Sequence, residues 1–232
     1  MENRHNNIEF TILMPCLNEE KTVAVCIGKA LKWIEKSGVN GEVLVVDNGS
    51  TDNSVKKALS AGARVVHESR KGYGNALKRG IKEAYGKYTI MGDCDLSYDF
   101  EHLDGYAEKL REGYAFVNGN RFKGRIKKGA MPTLHKVGVP VLSILGRIRY
   151  GTEIGDFHCG LRGFDTKKAR KLHLKSDGME FATEIIGRFS ASGERMCEIP
   201  TTLSPDGRNR PPHLRTIRDG IRHIILMLRP LK

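Results

Sequence analysis

Apolar positions in the first half of the chain switch repeatedly between two spacings. Residues 9–14 (EFTILM) and 42–46 (EVLVV) are short, nearly continuous apolar runs, the pattern of buried strands. Between them Val23, Ile27, Ala30, Leu31 and Ile34 recur at helical spacing, and Gly38 is placed to end that helix. Ser50 is read as the cap of a short helix that stops near Gly62. A third strand is expected over residues 63–67. A helix then carries Leu77, Ile81, Ala84 and Tyr85 as far as Gly86. Residues 87–92 read as a fourth strand, 100–110 as a helix and 114–119 as a fifth strand. Such alternation predicts an α/β fold with a mostly parallel central sheet and helices on both faces. Ligands of such sheets gather at the carboxyl ends of the strands.

The second half is less regular. Residues 121–136 read as a basic, glycine-containing loop and 137–149 as a helix. A strand-like stretch at 156–164 is followed by a helix over 178–191 and a strand over 195–203. Residues 204–213 are rich in proline and arginine. A final amphipathic helix sets Leu214, Ile217, Ile221, Ile224 and Leu228 on one face.

Composition changes this picture in one respect. Apolar (39%) and charged (28%) contents are ordinary for a globular chain, but a net charge of +12 favours polyanionic partners: phosphorylated substrates, an anionic membrane face or nucleic acid. Nucleic acid is set aside because a basic recognition helix and interleaved aromatics are weak here. The five cysteines are scattered without a Cys-x-x-Cys pair, which speaks against a zinc site or a disulfide framework and for a reducing, cytoplasmic setting. No hydrophobic run opens the chain. The longest weakly polar stretch, residues 137–146, is about half the length needed to cross a bilayer. The chain is therefore expected to lie on a membrane at most.

Three strand ends carry the candidate chemistry: PCLNEE at 15–20, DNGSTD at 47–52 and GDCD at 92–95. In an extended backbone Asp93 and Asp95 point to the same side. Two neighbouring carboxylates repel unless a cation lies between them, and Mg²⁺ or Mn²⁺ completes its shell with phosphate oxygens. A lone Asp-x-Asp is equally the mark of a strand-end turn, and the two other acidic strand ends favour the cation. Asp47 is either an Asx-turn residue or a nucleoside contact, and Glu19 either a nucleoside contact or a helix-start charge. Lys71, in KGYG, is either a phosphate contact or part of a plain loop. Neither Gly-x-Gly-x-x-Gly after the first strand nor a P-loop is present, which disfavours NAD and ATP chemistry of those types.

These segments resemble the successive signatures of glycosyltransferase family 2, with its GT-A fold. The later runs NGNRF (118–122), DFHCGLRGF (156–164), GMEF (178–181) and SPDGRNR (204–210) are similar to polyprenyl-phosphate (dolichol-phosphate) mannosyl- and glucosyltransferases. The resemblance covers residues 10 to about 225. It implies one catalytic domain over 1–232, with a nucleotide-sugar half (8–98), an acceptor half (99–205) and a basic terminal helix (206–232). It also implies inverting transfer of a hexose from GDP-mannose or a UDP-sugar to a lipid-linked phosphate, with Mg²⁺ or Mn²⁺ held by Asp93 and Asp95. Pro15, Leu17, Asn18, Glu19, Asp47, Lys71, Asp93, Cys94 and Arg208 would surround the donor, and Asp95, Asp156 and Arg121 would form the catalytic set. Three departures stand out. Asn48 replaces a usual second Asp, Ser97 stands where dolichol-phosphate mannose synthases often have Gln, and the transmembrane helices common in close relatives are missing.

A phosphate acceptor fits the residues. A hydroxyl needs a general base, whereas a phosphate monoester, with a second pKa near ~6, is already mostly dianionic and needs positive charge. Residues 121–149 supply Arg121, Lys123, Arg125, Lys127, Lys128, Lys136, Arg147 and Arg149 with no acid among them, and Arg208, Arg210, Arg215, Arg218 and Arg222 follow later. Arg121 and Arg208 are the expected phosphate contacts. If the acceptor is instead a hydroxyl of a soluble glycan, Asp156, Glu180 and Glu184 are the candidate bases. His158 and Cys159 are read as a strand histidine and a buried thiol. The terminal helix packs on the sheet or lies at the inner face of the cell membrane, where a separate membrane protein could supply an anchor.

Overall fold

The computed structural model describes residues 7–208 and 216–230. Its strands are β1 (Phe10–Cys16), β2 (Gly41–Asp47), β3 (Arg64–His67), β4 (Tyr88–Met91), β5 (Phe116–Ile126), β6 (Arg162–Asp165) and β7 (Met196–Leu203). Its helices are α1 (Val23–Ser37), α2 (Ser54–Ser60), α3 (Tyr73–Glu83), α4 (Asp104–Arg111), α5 (Thr133–Tyr150), α6 (Thr166–Lys171), α7 (Phe181–Ala191) and α8 (Thr216–Leu228). One sheet takes all seven strands in the order β3-β2-β1-β4-β6-β5-β7. Pairings are parallel except at β6, which runs antiparallel to both β4 and β5.

Side-chain alternation explains why helices cover both faces. Phe10, Ile12 and Met14 of β1 and Val43 and Val45 of β2 pack with Val23, Ile27, Ala30 and Trp33 of α1 and Leu110 of α4. Leu13, Leu44 and Val46 point the other way, against Leu77 and Ile81 of α3 and Phe181, Ile185 and Phe189 of α7. The expected mostly parallel α/β sheet is present. Among the described residues no helix is long and apolar enough to cross a membrane.

Gly38 ends α1 in the left-handed region, φ 66°, as expected. Elsewhere side-chain hydrogen bonds move the boundaries. Ser50 does not cap α2; its hydroxyl accepts from Asn18 N at 2.9 Å, and Asp52 Oδ1 instead accepts from Ser54 N at the helix start. The helix expected to reach Gly86 stops at Glu83. Gly86 serves the sheet, since a Cβ there would lie 2.4 Å from the Thr11 nitrogen. Residues 100–103 form a turn before α4 rather than its first turn.

The basic loop expected over 121–136 is partly strand, because β5 runs on to Ile126, and α5 begins at Thr133. A register shift between Asn120 and Arg125 permits the extension, with Asn120 Oδ1 accepting from the backbone of Phe122 and Lys123. Of the strand expected over 156–164, only Arg162 onward pairs, so His158 sits in a turn and not in a strand. Helix α6, six residues capped by Asp165, is too short to leave a period in the sequence. The expected positions of Leu214, Arg210 and Arg215, and the side chain of Ile217, lie outside the described residues.

Candidate active site

The parallel register puts Cys16 beside Asp47 and Leu13 beside Met91, so the loops after β1, β2 and β4 leave the sheet on one edge. They are tied to one another. Asn18, with φ 57°, accepts from Thr51 N through Oδ1 at 2.7 Å, and Glu19 N donates to Ser54 Oγ at 2.7 Å. Cys94 Sγ donates to the carbonyl of Pro15 at 3.2 Å. An open cleft of about 310 Å³ is lined by Asn18, Glu19, Glu20, Lys21, Thr51, Asp52 and Arg208, with Leu17 next to it in sequence.

Asp47 makes the Asx-turn foreseen as one of its two readings. Its carboxylate accepts from Ser50 N at 3.0 Å and Gly49 N at 3.2 Å, and meets His67 Nδ1 at 3.1 Å. Burial works against its charge, but the bonds from Ser50, His67 and Gly49 hold its pKa below the usual carboxylate range. Asn48 has a structural reason to be an amide. Its Nδ2 donates to the carbonyls of Glu68 and Arg70 while Oδ1 accepts from Gly72 N, and an ionised Asp could not donate. Lys71 Nζ reaches back to the carbonyls of Asn48 and Gly49 at 3.1 and 3.3 Å, so it does stand at the strand-end loops. The glycines around it serve protein packing: a Cβ on Gly72 would lie 2.1 Å from the Asp177 carbonyl.

The centre of the site is acidic. Burial, the charge of Asp95 and that of Glu19 push the Asp93 carboxyl up to about 7, although the Tyr73 hydroxyl and Arg208 pull it down. Asp95 is buried, and its Oδ1 accepts from Ser97 N at 2.9 Å. Arg208 bridges the cluster, with Nη2 at 2.6 Å from Asp95 Oδ2 and Nη1 at 3.2 Å from Glu19 Oε1. Arg208 thus links Asp95 to Glu19, with the Asp93 carboxyl close enough to feel all three. Among the described residues no group of three metal-ligating side chains forms a cage. The donor set instead fits a hard cation that takes one or two carboxylates from the protein and the rest of its shell from phosphate and water.

The other catalytic candidates are tied up with each other. Asp156 Oδ2 accepts from Arg121 N and Nε at 3.0 and 2.7 Å, and Oδ1 accepts from Arg121 Nη2 at 2.8 Å and His158 N at 3.3 Å. These four bonds fill the carboxylate's lone pairs, leaving it no place to accept a substrate proton. Arg121, only 8% exposed, is correspondingly committed. Glu184 accepts from the backbone of Lys175 and Ser176. Glu180 pairs through Oε1 with Arg222 at 2.6 Å, and its buried Oε2 has no hydrogen-bond partner. Cys159 is the buried thiol expected, its pKa pushed up to about 12 by burial. Burial, with His223 and Arg121 nearby, holds His158 neutral.

Three residues escaped the sequence reading. Tyr73, inside KGYG, lies near Asp93, and burial together with that carboxylate pushes its phenol pKa up. Tyr98 accepts from Gly160 N at 2.7 Å. Fully buried Arg162 pins the 156–162 turn through the carbonyls of Phe157, Cys159 and Ala182. That turn touches the acidic centre, since a Cβ on Gly160 would lie 2.6 Å from Asp93 Oδ2. Only the tyrosine within a glycine-rich segment offered a signal beforehand.

The strand order, the single reversal at β6 and the acidic loop after β4 define a GT-A type α/β protein. Residues 11–172 match the family described as Glycosyl transferase family 2, and the chain belongs to that family. A low-salt glycan biosynthesis hexosyltransferase, Agl6, of Haloferax volcanii is 37% identical over 94% of this chain and 53% of its own length. Glycosyltransferase AglJ of the same organism is 32% identical over 90% of the chain and 67% of its own. A dolichyl-phosphate hexose transferase, also from Haloferax volcanii, is 27% identical over 83% and 81%. The chain thus spans about half the length of the first of these relatives. Glucosyl-3-phosphoglycerate synthase of Mycobacterium tuberculosis, solved with Mn²⁺, UDP and glucosyl-3-phosphoglycerate, superposes with a TM-score of 0.71 at 21% identity, over 95% of this chain and 78% of that one. That likeness is one of fold.

Proposed function

We propose that this protein is an inverting glycosyltransferase that moves a hexose from a nucleotide-sugar to a polyprenyl phosphate, with Mg²⁺ or Mn²⁺ bound at Asp93 and Asp95. The carrying observation is the crowding of the Asp93 and Asp95 carboxyls at the end of β4, which with burial pushes Asp93 up to about 7 despite the nearby Arg208. The cation would supply Lewis-acid stabilisation of the departing diphosphate. Tyr73 lies beside Asp93, Ser97 orients Asp95, and Arg208 exchanges its carboxylate contacts for the donor's phosphates. Asn18, Glu19, Pro15, Leu17 and Cys94 shape the nucleoside side, where a bound base or ribose would replace His67 on Asp47.

On the acceptor side Asp156 is a positioning residue that fixes Arg121, and exposed Arg125, Lys127 and Lys128 face an anionic acceptor. The Haloferax volcanii dolichyl-phosphate hexose transferase supports the lipid-phosphate reading by its name. Such an acceptor sets the reaction at the cytoplasmic face of a membrane, with a separate membrane protein as the anchoring partner. A glycan hydroxyl is the second reading, favoured by the unpartnered Glu180 Oε2 as base. Incubation with Mn²⁺ or Mg²⁺, a panel of nucleotide-sugars and a short polyprenyl phosphate tests both. Labelled sugar is expected in the organic phase. Transfer only to soluble glycan, abolished in Glu180→Gln, would replace the first reading with the second.

A further inference from the structure

We propose that the outer faces of α5 and α8 form a docking surface for an anionic lipid bilayer. Ten of the fourteen large apolar side chains that are exposed among the described residues lie on these two helices. On α5 they are Leu134, Val137, Val141, Ile144, Leu145 and Ile148, from 46% to 78% exposed. At 3.6 residues per turn all six fall within about 100° of arc. The inward side of the helix is small: Ser143 Oγ accepts from Phe157 N at 3.1 Å, and a Cβ on Gly146 would lie 2.6 Å from the Phe157 ring. This helix turns its large aliphatic residues to solvent and its small ones to the core.

Helix α8 is built the same way round. Ile221, Ile224, Ile225 and Leu228 are 42% to 79% exposed, while Asp219, His223 and Met227 are buried. His223 Nδ1 meets Thr183 Oγ1 at 2.7 Å, so polar side chains seat the helix on α7. The two helices are joined by Arg149, which donates to the carbonyls of Met227 at 2.7 Å and Arg229 at 3.1 Å. Contiguous apolar surface on this scale marks an interaction site.

Charge chooses the occupant. Helix α5 contains no acidic residue, and the one acid of α8, Asp219, is buried. Lys127, Lys128, Lys136, Arg218 and Arg229 are exposed along the same helices and the loop before α5. A second copy would bring like charges together, whereas anionic headgroups match the basic rim and the interface takes up the aliphatic face. Arg121 acts electrostatically on His135, in the first turn of α5, so the surface begins next to the acceptor side of the site. The docking face deepens the membrane reading given above and rests on it for its purpose, but its test does not require sugar transfer.

The test is co-sedimentation of the full chain with vesicles of phosphatidylcholine alone and of phosphatidylcholine mixed with phosphatidylglycerol. Binding is expected to the anionic vesicles, about tenfold above the neutral ones, falling as salt is raised. The double variant Val141→Asp/Ile148→Asp should lose at least about tenfold of that binding with an unchanged circular dichroism spectrum and unchanged UDP or GDP affinity. Two outcomes overturn the proposal: wild-type protein left in the supernatant with both vesicles, or the double variant sedimenting as well as wild type. A dimer in light scattering that the double variant dissolves would assign the face to a second copy instead. Vesicle binding without nucleotide binding would count against the catalytic reading and leave this one standing.

Discussion

At the ends of β1 and β4, Glu19, Asp93 and Asp95 gather around Arg208, whereas across β6 Asp156 has Arg121 to itself through a two-pronged contact. Both regions were expected to hold catalytic carboxylates, yet only in the first does one carboxylate push another's pKa up. Crowded carboxylates cost stability, and this crowding is what the proposed function assigns to a ligand of opposite charge. The balanced pair marks the frame that holds the site in shape. Sequence alone does not separate the two cases, because an aspartate at a turn looks the same whichever partner arrives.

Removing one carboxylate from each region should therefore have opposite consequences, and this is the largest effect expected. Asp156→Asn strands a buried guanidinium and should cost about 3–5 kcal/mol in urea denaturation. Asp93→Asn relieves repulsion and should leave stability equal or up to about 1 kcal/mol higher. Its loss should appear instead in sugar transfer, roughly 10²- to 10³-fold, and in Mn²⁺ binding followed by calorimetry. If Asp93→Asn destabilises as much as Asp156→Asn, the distinction between the regions fails.

Acidity offers a second, smaller separation. His223 is buried with a pKa pulled down to about 4, chiefly by burial. A base with a depressed folded value holds full stability above the unfolded value of ~6.5 and loses it as pH falls towards 4, by up to about 3 kcal/mol. Asp93 works the other way. An acid raised to about 7 costs stability as pH climbs from ~4 to 7, and acidification relieves that cost. The two act over the same window with opposite sign and offset each other in the wild-type profile. Asp93→Asn should therefore steepen the loss of stability between about pH 7 and 4, and His223→Gln should leave stability rising on acidification. A His223→Gln profile that overlays wild type would remove α8 from the account.

The first half of the chain was legible because its signals are local. Strands β1 and β2 carry nearly continuous apolar runs, and PCLNEE, DNGSTD and GDCD stand at the ends of β1, β2 and β4. The second half depends on contacts that span 20 to 78 residues, such as Asn120 with Glu198, Arg162 with Ala182 and Arg121 with Asp156. No periodicity announces these. The extension of β5 through a register shift and the turn at 156–161 were misjudged for that reason, whereas α6 was missed because it is short. The inverted amphipathicity of α5 is similarly invisible: an apolar stripe reads as a core-facing one until the core is seen to be filled by Gly146 and Ser143.

Asn48 gives the finest test, because the resemblance leads one to expect an Asp there and the structure supplies a reason for the amide. Its amide donates to two carbonyls, those of Glu68 and Arg70, at 2.9 and 2.8 Å, and so ties the segment carrying Lys71 to the end of β2. In Asn48→Asp the ionised carboxylate would face those carbonyl oxygens with no hydrogen to share, costing about 1–2 kcal/mol. Lys71 donates to the carbonyl of Asn48 itself, so loosening the segment should also weaken nucleotide binding by a few-fold, roughly 1 kcal/mol. Thermal denaturation and UDP or GDP titration of the single variant read the two effects together. An Asn48→Asp variant as stable as wild type, with tighter nucleotide binding, would mean that the amide is a departure in donor recognition rather than a strut. In that case the proposed ligand site would extend one residue beyond Asp47, and the line between ligand site and frame would have to be redrawn along β2.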